Sequence, residues 1–285
     1  NENFPWKISI AEDLRGNEWL TKETGAGGAG FNSQWDSKFV HPLREALITF
    51  EDEHRNMYAV AGALTAKYDN AAFKRVIYTE SHDEVANGKA RVPEEIAPGE
   101  AGNNWFAKKR ATLGTALVMT TPGVPMIFQG QEFVAGGWFE DTQPLDWDEA
   151  KEFLGFAKLH RDLITLRRNL KGNTLGLTGQ HIEMSHINND AKVIAFHRWS
   201  EGGPGDSVLV VANFANRTYE EYIVGFPATG RWVLRCDTHN KAYDDTFEDQ
   251  LSDDVEAVDG DYDGFSAMGK IALAPYSVLI FSQDS

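Results

Sequence analysis

The segment Arg75-Val-Ile-Tyr-Thr-Glu-Ser-His-Asp-Glu-Val85 is an apolar run followed directly by a cluster of ionisable side chains. The apolar run predicts a buried strand, and the four ionisable groups within residues 80–84 exceed what the solvation of a loop requires. His and Asp at the end of a strand can bind sugar hydroxyls, and a carboxylate there can stabilise a developing positive charge. The structural alternative is that Ser81 or Asp83 caps a following helix.

The segment Ile8-Ser-Ile-Ala-Glu-Asp-Leu14 repeats this pattern, with an apolar run that ends in two carboxylates. Taken alone, Glu12 and Asp13 also fit the start of a solvated loop. Parallel-sheet and barrel enzymes, however, build their active sites where the strands end. Two such strand ends predict glycoside chemistry, which requires an acid for the leaving oxygen and anions near an oxocarbenium-like centre.

Outward from these segments, the first part of the chain alternates apolar runs with helical patterns. Such repeated strand-helix units predict a parallel sheet. The predicted strands are residues 6–11, a weaker one at 30–32, 75–79 and 124–128, and the predicted helices are 38–50, 54–68, 105–119 and 148–169. Asp146 and Glu149 resemble a capping box for the last helix.

From about residue 174 the pattern changes to short strands separated by Gly and Pro. They are predicted at 181–187, 193–199, 208–213, 219–224, 232–236 and 271–281, and the acidic stretch 244–263 is interpreted as an exposed loop. This spacing is typical of an antiparallel β-sandwich. The sequence therefore predicts two parts, an α/β part at residues 1–173 and an all-β part at residues 174–285.

The composition excludes several classes of partner. The net charge of -16 would repel a phosphate backbone, and no basic patch compensates, so nucleic acid is not expected. The apolar runs are strand-sized, so no membrane span is expected. A single cysteine, Cys236, excludes a disulfide within the chain and fits a reducing compartment, from which we expect a cytoplasmic location.

Ordered motifs along nearly the whole chain resemble the α-amylase superfamily (glycoside hydrolase family 13), and within it the bacterial glycogen branching enzymes. Ala11-Glu-Asp13 and Glu80-Ser-His-Asp-Glu-Val85 resemble the third and fourth signature regions of the superfamily. The motifs that favour the branching enzymes are Gly27-Gly-Ala-Gly-Phe31, Gly88-Lys89, Pro122-Gly-Val-Pro125, Phe128-Gln-Gly-Gln-Glu-Phe133, Pro144-Leu-Asp-Trp147, Asn213-Phe214 and Gly230-Arg-Trp232.

The resemblance implies the C-terminal half of a (β/α)₈ TIM barrel, strands five to eight, followed by an antiparallel β-sandwich domain. Glu12 would be the catalytic general acid/base and Asp83 the transition-state stabiliser. His82 would hydrogen-bond the sugar at the cleavage point. We also expect Glu84 and Trp35 to bind substrate, which would be an α-1,4-glucan or a malto-oligosaccharide.

The same resemblance leaves one catalytic group unaccounted for. In this family the covalent nucleophile is an aspartate after strand four, and no residue of the chain occupies that place. A barrel of about 250 residues also exceeds the residues that precede the β-rich part. We therefore expect the chain to be a fragment or one chain of a split enzyme, inactive without a partner that supplies the N-terminal half of the barrel.

Three functions stay open at this point. The leading hypothesis is retaining transglycosylation that makes α-1,6 branches in an α-1,4-glucan. The second is hydrolysis by an amylase or a malto-oligosyltrehalose trehalohydrolase, which the run Phe31-Asn-Ser-Gln-Trp-Asp36 with His41 also resembles. The third is a non-catalytic glucan-binding fragment.

Other motifs carry less weight. Residues 25–30 satisfy G-x-G-x-x-G, but no strand precedes them and no helix opens after them, as a dinucleotide site requires. Asp259-Gly-Asp-Tyr-Asp-Gly264 begins like an EF-hand loop but has Lys270 where the bidentate Glu belongs. We expect no cofactor and no metal. The aromatic residues Trp138, Phe139 and Trp147 fit either stacking on glucose or packing.

Overall fold

A computed structural model describes residues 6–249 and 251–285. In these residues the first part of the chain forms a parallel sheet in the order β1-β2-β3-β4, with β1 at Ile10–Ala11, β2 at Ser33–Trp35, β3 at Arg75–Ile77 and β4 at Val124–Pro125. Each strand coincides with or adjoins a predicted apolar run. The β2 strand lies a few residues after its predicted position, and residues 1–5 lie outside the described part.

Helices connect and cover these strands. They are α1 (Ser37–Ile48), α2 (Met57–Thr65), α3 (Val92–Ile96), α4 (Trp105–Thr120), α5 (Glu149–Glu152) and α6 (Leu154–Arg167). The Asp146 carboxylate accepts hydrogen bonds from the backbone N–H groups of Asp148 and Glu149, as the capping motif predicts. The single helix predicted at 148–169 is wrong in one respect, because it breaks at Phe153, whose ring packs against Gly102.

The second part is antiparallel and all β, as predicted. Its strands are hydrogen-bonded in the order β5-β6-β7-β12-β9-β10-β11-β8. Their bounds are β5 His181–Asn188, β6 Val193–Trp199, β7 Val208–Asn213, β8 Tyr219–Phe226, β9 Gly230–Asp237, β10 Val255–Tyr262, β11 Phe265–Leu273 and β12 Ser277–Ser282.

Two predictions in this part are wrong. The acidic stretch 244–263 is not all loop, because β10 lies within it and pairs with both β9 and β11. Val255 and Ala257 face the core, while the acidic residues between and after them face solvent. The prediction followed the acidic composition and overlooked this two-residue alternation of buried and exposed side chains, which is typical of a strand. The strand predicted at 271–281 is two strands, interrupted by a turn at residues 274–276 that contains Pro275.

Two apolar clusters lie on opposite faces of the central strands β6, β7 and β12. On β6, Ile194 and Phe196 join one cluster with the helices, while Val193 and Ala195 join a second cluster with β8, β10 and β11. The strands β7 and β12 alternate in the same way. Helices, central strands and outer strands therefore form three layers, and apolar packing is continuous across the predicted boundary at residues 173 and 174.

None of the helices in the described part of the chain combines the length and the apolar character that crossing a bilayer would need.

Candidate active site

The ends of β1 and β3 bring together three of the residues singled out in the sequence. Glu12 Oε1 lies 3.2 Å from His82 Nε2, and the same nitrogen lies 3.7 Å from Asp83 Oδ1. One ligand-type atom from each of these residues falls within 4.8 Å of the others. The side chains are about half exposed, at 53% for Glu12 and 45% for His82 and Asp83. An acid, an imidazole and a second carboxylate thus share one open rim.

The parallel sheet explains this convergence. β1 pairs with β2 and β2 pairs with β3, all in parallel, so the chain leaves each strand at the same edge. Glu12 directly follows β1, and His82 and Asp83 come five and six residues after the last residue of β3. Groups placed after the carboxyl ends of parallel strands face a common crevice.

The other two ionisable residues of the same segment are buried and hold the loop in place. Glu80 is 1% exposed and accepts hydrogen bonds from the Val92 backbone N–H and the Arg91 guanidinium, and burial raises its pKa. The Glu84 side chain is 3% exposed and contacts Lys89 Nζ at 3.0 Å and His41 Nε2 at 3.1 Å. The first and last ionisable groups of the segment are therefore buried, and the two between them, His82 and Asp83, lie at the rim.

Burial alone would raise the pKa of Glu84. The hydrogen bonds and positive charge of Lys89 and His41 outweigh burial, and the pKa lies below its ordinary value. The geometry directs the Glu84 carboxylate to these two partners, while Asp83 remains with His82. The predicted role of Glu84 in binding substrate stays a proposal, because its carboxylate is directed to His41 and Lys89 instead of the cluster of Glu12, His82 and Asp83.

The structural alternative, a helix cap at Ser81 or Asp83, is wrong, because a turn follows Ser81 and the next helix begins at Val92. The Ser81 hydroxyl accepts a hydrogen bond from the Glu84 backbone N–H, and its carbonyl accepts one from the Val85 N–H, which closes a turn. This turn leaves the Asp83 side chain exposed beside His82. Within this segment Ser81 thus has a structural role in the turn, while Asp83 is exposed and free for chemistry.

Aromatic rings form the wall beside the cluster. The Trp35 ring meets the His82 ring edge to face with centroids 5.6 Å apart, and it meets Tyr78 at 5.3 Å. Tyr78 is fully buried, and its hydroxyl has no hydrogen-bond partner among the described residues. Burial raises the pKa of Tyr78, and the carboxylates of Glu84 and Asp36 raise it further, so the phenol stays protonated.

Sequence reasoning missed Tyr78. Tyr78 lies in the predicted strand 75–79, but only the structure shows that it shares a buried cluster with Val76 behind Trp35. The later aromatic residues divide into two groups. Trp138 and Trp147 are each 63% exposed, whereas Phe139 packs edge to face on Phe128 with centroids 5.4 Å apart.

The donor types at the rim are those of a divalent cation site, with one imidazole and two carboxylates that are all partly exposed. That no metal binds here stays a prediction from the sequence. The glycine-rich segment has a structural cause, because a Cβ added at Gly28 would lie 2.2 Å from the Lys22 carbonyl oxygen. Close backbone approach therefore explains Gly28 without a nucleotide.

Comparison with known proteins identifies similar chains. The family model described as the C-terminal all-beta domain of alpha amylase matches residues 184–284. The 1,4-alpha-glucan branching enzyme GlgB of Roseobacter denitrificans is 30% identical over 98% of this chain, and that of Prochlorococcus marinus is 29% identical over all of it. Nearly the whole chain is therefore similar to branching enzymes, and its all-β part to the C-terminal domain of alpha amylase.

Two solved structures share the fold of the chain. A pullulanase from an Anoxybacillus species, solved with maltotetraose, superposes on 99% of the chain with a TM-score of 0.66 and 16% identity. An Anoxybacillus alpha-amylase covers 98% of it with a TM-score of 0.61 and 15% identity. The chain spans 38% and 37% of the length of the two branching enzymes, and 40% of the pullulanase.

Proposed function

We propose that this chain carries the acid/base half of a retaining α-glucan branching enzyme. Residues 1–173 would form strands five to eight of a (β/α)₈ barrel, and residues 174–285 its C-terminal β-sandwich domain. The observation that carries the proposal is the convergence of Glu12, His82 and Asp83 within 4.8 Å at one edge of a parallel sheet. Branching enzymes that align with nearly the whole chain support the choice of reaction.

The chemistry follows from these positions. Glu12 protonates the departing glycosidic oxygen and then takes the proton of an incoming sugar 6-hydroxyl, so one carboxyl serves both steps. The Asp83 carboxylate stabilises the positive charge that develops on the sugar ring. His82, whose Nε2 lies close to both carboxylates, would bond to a hydroxyl of that sugar. The nucleophilic aspartate comes from the N-terminal half of the barrel.

Trp35 would bind substrate in this scheme. Its ring stands against His82, and a glucose ring seated there would have one apolar face against the indole. The substrate would be an α-1,4-glucan or a malto-oligosaccharide. Cytoplasmic location remains a prediction of the cysteine content.

The decisive experiment changes Glu12 to Gln in the enzyme that contains this chain together with the N-terminal half. We expect kcat for branching to fall by about 10² to 10⁴-fold, because general acid–base catalysis contributes that much. Glu23→Gln, an exposed glutamate in the following loop, serves as the matched control and should retain activity. Near-parental activity in the Glu12 variant would exclude it as the acid/base.

Analysis of product linkages in the same assay separates the two reactions that this site could perform. New α-1,6 linkages without a rise in reducing ends identify transglycosylation. A rise in reducing ends without new linkages identifies hydrolysis and would refute branching while leaving the catalytic residues in place.

A further inference from the structure

A histidine on a distant helix contacts the turn that carries Asp83. His41 lies on α1, and its Nε2 is 3.1 Å from Oε1 of Glu84, the residue that follows Asp83. The His41 side chain is 52% exposed, whereas that of Glu84 is 3% exposed. The two residues are 43 positions apart, so no local pattern in the sequence relates them.

Each oxygen of the Glu84 carboxylate has one of these partners. Lys89 Nζ lies 3.0 Å from Oε2, and His41 contacts Oε1. Burial raises the pKa of Glu84, but the hydrogen bonds and charges of Lys89 and His41 lower it below its ordinary value. The group is therefore a carboxylate at neutral pH, which only accepts hydrogen bonds, so Nε2 of His41 donates. Loss of His41 would leave one oxygen of a buried carboxylate without this donor.

The helix α1 also holds both ends of the segment around the turn. Arg44 is 5% exposed, and its guanidinium donates hydrogen bonds to the carbonyls of Thr79 and Ala90. His41 and Arg44 are three positions apart on a helix and therefore share a face. The segment between the two carbonyls is thus attached to one helix at its start, at Glu84 and at its end.

The start of α1 is in turn fixed to the parallel sheet. Its N-cap, Asp36, directly follows β2 and is fully buried. The Asp36 carboxylate accepts a hydrogen bond from the Tyr68 hydroxyl at 2.8 Å and lies 3.2 Å from Nη1 of Arg75, the first residue of β3. His41 is therefore a donor on a helix whose place relative to β3 is set by buried contacts.

The turn held in this way carries the two exposed members of the cluster. Its closing hydrogen bond runs from the Glu84 backbone N–H to the Ser81 hydroxyl, and His82 and Asp83 lie between these residues. A displacement of Glu84 moves its neighbour Asp83 relative to Glu12, which follows a different strand, β1. Catalysis is sensitive to such shifts, because a misplacement of about 1 Å can cost about 10²-fold in rate.

We propose that His41 is a positioning residue, which acts through Glu84 and the turn to hold Asp83 in place opposite Glu12. Its effect on the reaction rests on the proposed function, whereas its effect on the geometry of the turn does not. Because His41 is half exposed, it can be replaced without opening a cavity in the core, and the role can be tested in a folded protein.

The first test compares two amides at position 41 in the enzyme that contains this chain together with the N-terminal half. His41→Gln keeps an N–H donor at about the reach of the imidazole Nε2, whereas His41→Asn is one methylene shorter. We expect His41→Asn to lower kcat about tenfold with KM within about twofold of the parent, and His41→Gln to keep kcat within about threefold. His54→Asn is the matched control and should retain activity, because His54 is 70% exposed and pairs with the exposed Glu53.

Three outcomes of this test would overturn the proposal. The first is a parental kcat in His41→Asn. The second is a kcat in His41→Gln as low as that in His41→Asn, because the reach of the donor would then be irrelevant. The third is a raised KM with unchanged kcat, which would show that His41 binds glucan directly.

A second test needs no turnover. Nuclear magnetic resonance of the 285-residue chain with isotopically labelled histidine follows the His82 ring, whose signals are assigned with His82→Gln. We expect the His82 signals to shift in His41→Asn and to stay in place in His41→Gln and His54→Asn. Unshifted His82 signals in His41→Asn would refute the effect on the turn. This readout stands whatever the Glu12→Gln experiment shows, so failure of the proposed function and failure of the positioning role are distinguishable.

Discussion

At the scale of residues, one turn gives two neighbouring carboxylates different surroundings, one exposed and one buried. Asp83 is 45% exposed beside His82, while Glu84 is 3% exposed between Lys89 and His41. Nothing in the order Asp-Glu distinguishes them. The turn closed by Ser81 directs one outward and the other inward.

This difference has a measurable consequence in pH. Because the pKa of Glu84 is lowered by folding from its ordinary 4.5, its contribution to stability is present above that value and is lost as the pH falls through the folded pKa. Lys89→Met should therefore lower the free energy of unfolding by about 0.5 to 1 kcal/mol at neutral pH. The difference from the parent should vanish once the pH lies below the folded pKa.

Urea denaturation from neutral pH to below the folded pKa of Glu84 measures the free energy of unfolding of both proteins. Lys151→Met is the control, because Lys151 and Asp148 form an exposed pair whose side chains are 75% and 89% exposed, and it should have little effect at any pH. A loss of stability in the Lys89 variant that persists unchanged at low pH would show that Lys89 acts by packing.

At the scale of elements, β10 shows why composition misleads. The stretch that contains it is acidic, yet Ala257 is 2% exposed and Val258, its neighbour, is 53% exposed. Alternation of this kind identifies a strand with one buried face. The β9 and β11 partners then supply the hydrogen bonds that a loop would lack.

The two neighbours therefore make a paired prediction. Ala257→Asp places a carboxylate in the core beside β11 and should lower the free energy of unfolding by about 3 kcal/mol or more. Val258→Asp adds the same charge on the solvent side and should change it by about 1 kcal/mol or less. Equal effects in thermal denaturation would mean that this stretch has no buried face.

At the scale of the whole molecule, the central strands belong to two cores at once. Phe196, Val210 and Ile280 pack against the helices of the first part, and alternate residues pack against the outer strands. Buried Arg198 on β6 also donates to the Thr120 carbonyl at the end of α4. The two parts are therefore joined by packing as well as by the chain.

Separating the parts should expose an apolar face. Residues 174–285 produced alone should aggregate or bind a hydrophobic dye, whereas the complete chain should do so less. Replacing Phe196, Val210 and Ile280 with Ser, Thr and Thr in that fragment should restore a monomer, because these side chains then meet water. Gel filtration and dye fluorescence report both outcomes. A monomeric, dye-free fragment without the replacements would show that the all-β part is independent of the helices.

Local pattern was sufficient for much of this protein. Apolar runs bounded by polar clusters located most of the strands, though not β10, and a change in spacing near residue 174 predicted the antiparallel part. The rule that parallel strands end at one edge predicts that carboxylates of the two segments share a rim, and the resemblance to the α-amylase superfamily selects Glu12 and Asp83 among them. These features depend on neighbours in the chain, so the sequence determined them.

Tertiary structure decided which side chains are free to act. Glu80 and Glu84 resemble Asp83 in sequence, but burial and partners from residues 41, 89, 91 and 92 remove them from the rim. The contact between His41 and Glu84 joins residues 43 positions apart. Exposure and charge pairing depend on contacts between distant segments, and no local pattern in the sequence encodes them.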